Sequence, residues 1–278
     1  MAVESSTKIN LGKNEEFRVT SVTKGTVLGT TAAFTQMPAL ATPGDSHRGR
    51  LFATPTTFST AVIVKLLFNP WLTVLKTTDA MATLPTDYSI TAQDNTTSTE
   101  LNLTSLDTVA NGDWLLVGSH QQFRGLQIDV HGTNATATTT AAIHYRNAAK
   151  TWAAYSITDG TKSSTALDQD GLLYWTPTSA WVKETFRSIY PDITQTAYYS
   201  DIPLYWARYS FDKALDSTDV GLYSVLAANR STSYAELCSG QMVSKDVIYG
   251  FGGVGNIEAL TDAGTATLIV NVSVEGEF

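Results

Sequence analysis

Three glycines in the stretch YGFGGVGNIEAL, Gly250, Gly252 and Gly255, have the G-x-G-x-x-G spacing of a dinucleotide-binding turn. Glu275 stands about twenty residues further on, where a ribose-binding carboxylate would be sought. Such a turn must open a helix whose N-terminus receives the pyrophosphate, and the helix must lead into another parallel strand. A strand precedes the glycines as DVIY, but only NIEAL and the turn TDAG follow, late in the sequence. The glycines are therefore expected in a loop or bulge between strands, where φ > 0 or close backbone approach is required.

Other residue types that carry chemistry are scattered. His47, His120, His131 and His144 show neither H-x-x-x-H nor H-E-x-x-H spacing. His131 shares a strand face with Asp129, and two groups do not make a metal site. Ser119 adjoins His120, with Asp113 and Asp129 nearby, but a triad is defined in space and no G-x-S-x-G elbow occurs. Asp159, Asp168, Asp170 and Glu184 are the candidate acid and base pairs for sugar hydrolysis. Asp159–Gly160 and Asp170–Gly171 read first as hairpin turns. LDQDG, from Leu167, is similar to a calcium loop but lacks the D-x-D-x-D-G run and the closing Glu. Cys238, the single cysteine, is expected as a buried or half-buried thiol with no base beside it. The expectation is a chain with no catalytic, cofactor-binding or metal-binding residues, and not an enzyme.

The aromatic residues make a stronger case for binding. Trp152, Tyr155, Trp175, Trp181 and Trp206 gather in the second half of the sequence. Exposed together, they would form a platform for a glycan or a protein partner; enclosed, they would fill a core. In YWARYS, Tyr205, Ala207 and Tyr209 share one strand face and Trp206 and Arg208 the other, so Tyr205 and Trp206 cannot both point the same way. Arg48 and Arg50, in the basic stretch PGDSHRGR, are candidates for pairing with carboxylates of a neighbouring subunit.

These residues must be positioned by strands. The 278 residues are 43% hydrophobic and only 16% charged, which suits a packed core and not a disordered chain. Thr and Tyr, good β formers, are abundant. Short apolar or alternating runs, among them FSTAVIVKLLF, DWLLVGS, FRGLQIDVHG and LYWARYSFD, recur between Gly, Pro, Asn and Thr clusters. ATLIVNVSVEGEF places Leu268, Val270, Val272 and Val274 on one face. Helical signals are confined to PTSAWVKETFRSI, with Thr178 or Ser179 as cap, and to SYAELCSGQM. An all-β chain of two β domains follows. The Thr-rich stretch near residue 100 suggests an N-terminal β domain over 1–104, with an arm through Ser6, and an aromatic-rich, jelly-roll-like β-sandwich over 105–278.

The net charge of −8 disfavours a nucleic-acid partner. The sequence has no apolar run long enough for a membrane helix and no apolar signal core at its start, so no membrane partner and no secretion are expected.

Between Asp113 and Ser217 the sequence resembles a recurring β-sandwich module of tailed-phage virion proteins. The resemblance rests on VGSHQQFRG, on YRNAAKTW followed by DGT, on GLLYWTPTSAW and on YWAR, with Ala148 where the module has a glycine. It implies a structural component of a phage particle, such as a capsid decoration, auxiliary capsid or tail-fibre protein. Such a chain is made in the bacterial cytoplasm and assembled into the virion. The implied partners are major capsid or tail subunits and further copies of the chain, a trimer being one arrangement. A surface glycan is the alternative partner, for a receptor-binding part.

Overall fold

The computed structural model describes residues 6–10, 16–20, 26–37, 42–59, 62–77, 81, 83–104, 106, 112–229 and 234–276. Of the expected N-terminal arm only Ser6 falls among them. The first strands are β1 (Ser6–Asn10), β2 (Glu16–Thr20), β3 (Thr26–Leu28), β4 (Ala33–Gln36), β5 (Ser46–Thr56) and β6 (Val64–Pro70). Then come β7 (Thr73–Lys76), β8 (Thr86–Asp87), β9 (Leu101–Asn102), β10 (Leu115–Ser119), β11 (Gly125–His131), β12 (Ala141–Arg146), β13 (Trp152–Ala154), β14 (Ile157–Asp159), β15 (Gly171–Trp175) and β16 (Lys183–Glu184). After the short helix α1 (Phe186–Ile189) follow β17 (Leu204–Phe211), β18 (Gly221–Ala228), β19 (Ala235–Leu237), β20 (Val243–Gly250), β21 (Val254–Thr261) and β22 (Ala266–Gly276). The fold is all-β, as the alternating runs require.

The chain divides into two compact units, and not at residue 104. One unit comprises Met1–Pro38, Asp45–Asn69 and Ser231–Phe278; the other comprises Ala39–Gly44 and Pro70–Arg230. Strand pairing explains the difference. β22 lies beside β5 from Thr267↔Thr56 to Val274↔Gly49 and also pairs β2, so the C-terminal strands belong with the N-terminal ones. The Thr-rich stretch is built into the second unit. Asp94 accepts from the Thr96 amide and the Thr99 hydroxyl, and β9 pairs β18 with Leu101 and Leu103 buried. A polar composition there reflects local turns that satisfy their own hydrogen bonds, not a linker.

The first unit is one ten-stranded sheet with the path β1-β2-β22-β5-β20-β21-β6-β19; β3 adds to β22 and β4 to β21. β5 and β22 alternate as sequence parity demands. Leu51 and Ala53, and Leu268, Val270 and Val272, turn inward and are buried. The glycine motif links β20 to β21, a strand where a nucleotide site would need a helix. Gly250 and Gly252 have φ of 82° and 78°. A Cβ on Gly253 would stand 1.9 Å from the Ile248 carbonyl oxygen.

The second unit is a two-layer sandwich. Its seven-stranded sheet runs β13-β12-β17-β10-β7-β8, with β16 on β17; its five-stranded sheet runs β14-β15-β11-β18-β9. Leu115, Val117, Ile143, Ala207 and Tyr209 from the first layer meet Leu126, Ile128, Leu173, Trp175 and Val225 from the second in one core. Successive strands cross between layers, from β10 to β11 to β12 and from β17 to β18.

Local expectations were corrected in places. The helix starts later than PTSAW: Thr185 is the cap, its hydroxyl accepting the Ser188 amide at 3.2 Å. SYAELCSGQM holds β19 and a turn, and Cys238 is exposed. The two Asp-Gly pairs stand at opposite ends of the β14–β15 loop, where a Cβ on Gly171 would come within 2.1 Å of the Gly160 carbonyl oxygen. The β12–β13 hairpin forms without a glycine, its left-handed residue being Lys150 at φ 59°.

Gly253→Ala should destabilise the protein by about 1–3 kcal/mol, because backbone must move to admit the methyl group. Gly29→Ala, where the added Cβ meets nothing within 4 Å, should be near neutral. Denaturant unfolding of both variants checks this.

Candidate functional site

Of the two arrangements open to the aromatic residues, platform or core, the tryptophans mostly adopt the core. Trp175, Trp181 and Trp206 are 1%, 1% and 0% exposed, and Tyr155 is half-buried. Phe123 joins Trp175 and Trp181 edge to face, with centroids 5.4 and 5.2 Å apart. Tyr155 stacks on Tyr145 at 4.3 Å and on Trp175 at 5.8 Å. Two indole nitrogens are satisfied by backbone: Trp181 Nε1 donates to the Trp206 carbonyl at 3.0 Å, and Trp206 Nε1 to the Glu184 carbonyl at 2.9 Å. An indole buried this way supplies large apolar area and still keeps its hydrogen bond.

β17 is buried on both faces. Ala207 and Tyr209 point into the sandwich core. Trp206 points the other way, against Phe186 and over Gly118, where a Cβ would lie 2.7 Å from the indole. Phe186 packs on Tyr199 and Tyr190. The α1 segment and the loop after it thus cover the outer face of the sheet. Sequence parity correctly separates Tyr205 from Trp206, but it carries no information about this cover.

Beside Trp206 the cover is anchored by an ion pair. Arg146 Nε donates to Glu184 Oε2 at 2.8 Å, both side chains being largely buried. Ser188 Oγ donates to the other carboxylate oxygen at 2.5 Å. Burial pushes the Glu184 carboxyl upward, but the hydrogen bonds from Arg146 and Ser188 outweigh it and hold its pKa below the ordinary value. Trp152, half-buried, lies 5.2 Å from the Arg146 guanidinium and 4.9 Å from that of Arg208.

The remaining carboxylate candidates are committed to the backbone. Asp159 accepts the Thr161 amide and hydroxyl, and Asp170 accepts the Val130 amide. Asp168 accepts the amides of Ser163, Ser164 and Thr165 and the Ser164 hydroxyl. Desolvation alone would raise its pKa; those four donors bring it down to about 2. Among the described residues, no group of three or more His, Cys, Asp and Glu side chains is placed to hold a metal ion.

Arg48 and Arg50 lie in the first unit, on the outer face of three neighbouring strands. Cross-strand partners share a face, so Arg50 sits with Asp246 and Ser273, Arg48 with Ile248, and Phe52 with Ser244 and Asn271. Val27, Thr56 and Thr267 continue the face at its far end. Arg50 Nε donates to Ser244 Oγ at 3.1 Å and lies 3.4 Å from Asp246 Oδ1. Both members of that ion pair are exposed, so it adds little stability. A depression of about 610 Å³ is lined by Arg48, Gly49, Arg50, Asp246, Val247, Ile248 and Ser273. Ile248 is 49% exposed and Val27 70%. Large apolar groups set among charges on an open sheet face suit contact with another protein. Arg48 and Arg50 were legible as candidates; Ile248, Phe52 and Val27 were not, because only strand register brings them to the same face.

No family model matches the chain, and no curated protein matches it. A solved structure described as "Structure of infectious bursal disease virus Gt strain" aligns over 98% of this chain and 84% of that chain at 9% identity, with a TM-score of 0.14, which carries no argument.

Two outcomes are expected here. Glu184→Ala should cost about 3–5 kcal/mol, because it strands a buried Arg146; denaturant unfolding measures it. The Asp168 clamp should contribute fully above pH 4, near the ordinary aspartate value, and weaken as pH falls toward about 2. An NMR titration of its carboxyl, with Asp168→Asn as reference, checks the direction.

Proposed function

We propose that this chain is a structural component of a tailed-phage particle. It would act as a capsid decoration or auxiliary protein that holds neighbouring virion subunits by surface contact. The observation that carries this reading is the open outer face of β22, β5 and β20, where Val27, Phe52 and Ile248 are set among Arg48, Arg50 and Asp246. Docking there would gain roughly 25 cal/mol per Å² of apolar surface covered, before the costs of association. The arginines and Asp246 would fix register and partner choice. The sandwich of the second unit, which contains the whole stretch resembling virion modules, supplies a rigid body with a closed aromatic core.

The second reading is a glycan-binding receptor part. It requires aromatic rings open to solvent, and Trp175, Trp181 and Trp206 are enclosed. Trp152 and Tyr155 alone, half-buried and engaged by arginines or by neighbouring rings, offer a poor platform. Further copies of the chain remain natural neighbours, since decoration proteins follow the symmetry of the shell they cover.

Quantitative mass spectrometry of density-purified particles from the source tests the reading. We expect many copies per particle, and Ile248→Asp should lower the bound copy number at least several-fold while leaving the melting temperature unchanged. Absence of the chain from particles would overturn the proposal.

A further inference from the structure

The outer layer of the second unit holds a buried cation that pairs with no carboxylate among the described residues. Arg208, on central strand β17, is 7% exposed. Its guanidinium carbon lies 4.9 Å from the centre of the Trp152 ring and 5.0 Å from that of Trp114. Two aromatic faces attract the charge through their quadrupoles, but they take none of the hydrogens in the guanidinium plane. Arg208 Nε is buried and has no hydrogen-bond acceptor among the described residues.

The surroundings add donors and positive charge. The Tyr190 hydroxyl and Trp114 Nε1 are buried beside each other, the indole N–H directed at the phenol oxygen outside strict hydrogen-bond geometry, and Tyr190 also lies close enough to Arg208 to feel its charge. His144 is the cross-strand neighbour of Arg208, and its Nδ1 is also unpartnered. Burial first, and the Arg208 charge second, lower the His144 pKa, so it stays neutral. Arg146 stands near enough to repel Arg208. The nearby carboxylate, Glu184, is engaged elsewhere: one oxygen takes Arg146, the other Ser188. Arg146 and Glu184 cancel, so Arg208 leaves one positive charge uncompensated.

The guanidinium edge, with the phenol hydroxyl beside it, offers more hydrogens than the neighbouring acceptors, the Tyr190 oxygen and one nitrogen of neutral His144, can take. It fits a ligand that is all acceptor, planar, and singly negative. We propose that Arg208, with Tyr190 and Trp114, forms a binding site for a small carboxylate from solution, held by the guanidinium fork between two indole rings. Arginine suits this because its donors match both carboxylate oxygens at once, whereas an ammonium offers only a point charge. A phosphate, carrying more than one negative charge at neutral pH, would overcompensate the site. The narrow exposure of Arg208 restricts the ligand to small species. This inference is independent of the particle reading.

The test uses the full chain, with sodium acetate as probe and sodium chloride at equal ionic strength as reference. Binding is followed by the Trp114 indole N–H resonance. We expect a saturable shift with acetate alone. Arg208→Lys should weaken binding by about tenfold or more, and Tyr190→Phe several-fold. Arg187→Lys, which alters an exposed pair with Asp201, should leave it unchanged. If Arg208→Lys does not fold, Tyr190→Phe decides. A shift matched by chloride, or an acetate affinity unchanged in a folded Arg208→Lys or in Tyr190→Phe, overturns the site. Saturation by phosphate at lower concentration than by acetate overturns the carboxylate assignment.

Discussion

The second unit depends on a strand with no free face. β17 gives Ala207 and Tyr209 to the sandwich core and Trp206 and Arg208 to an outer layer made by α1 and the loop after it. A half-exposed strand would carry polar residues on one side. Here both sides are large or charged, so each needs its own cover. The indole nitrogens of Trp181 and Trp206 reach backbone carbonyls on β17 and β16, and Ser188 of α1 donates to Glu184 on β16, which ties the cover to the sheet by a directed bond as well as by area. The Arg146–Glu184 pair then closes the same layer. A buried ion pair of this kind is weak evidence for added stability; its effect is to specify where the loop sits, because either partner alone would be stranded.

The first unit follows a different constraint. Its central strands come from both halves of the sequence, so the sheet is complete only when β20, β21 and β22 have joined β5. Along β5 and β22 one side is buried and mainly apolar, with Leu51, Ala53, Leu268, Val270 and Val272; the other side of β5, β20 and β22 mixes charge with exposed Ile248, and Val27 stands beside it. An open face of this composition has a physical use in contact with a partner, whereas the buried aromatics of the second unit serve its core. The glycines at 250, 252 and 253 belong to this construction. Gly250 and Gly252 supply the positive φ that the turn from β20 to β21 requires, and Gly253 sits where a Cβ would meet the Ile248 carbonyl.

Much of the strand pattern was legible, because side-chain parity on a strand is a local property. Leu268, Val270 and Val272 proved buried together, and Tyr205 and Trp206 proved to face opposite ways. What packs on each face is not local. The enclosure of Trp206 depends on Phe186 and Tyr199, and the grouping of Arg50 with Asp246 and Ser273 depends on register between strands about two hundred residues apart. The boundary near residue 104 failed for the same reason: composition sees neighbours in the chain, while β5 and β22 are neighbours only in space. The positive φ at Lys150 shows the limit of turn chemistry, since a hairpin can place its left-handed residue where no glycine marks it.

The most direct measurement is hydroxyl-radical footprinting of the full chain, free and bound to purified particles. If the outer face of the first unit is the docking surface, Phe52 and Ile248 should lose reactivity on binding while Tyr174 and Tyr223 of the second unit keep theirs. Unchanged reactivity at Phe52 and Ile248, or protection confined to the second unit, would contradict it.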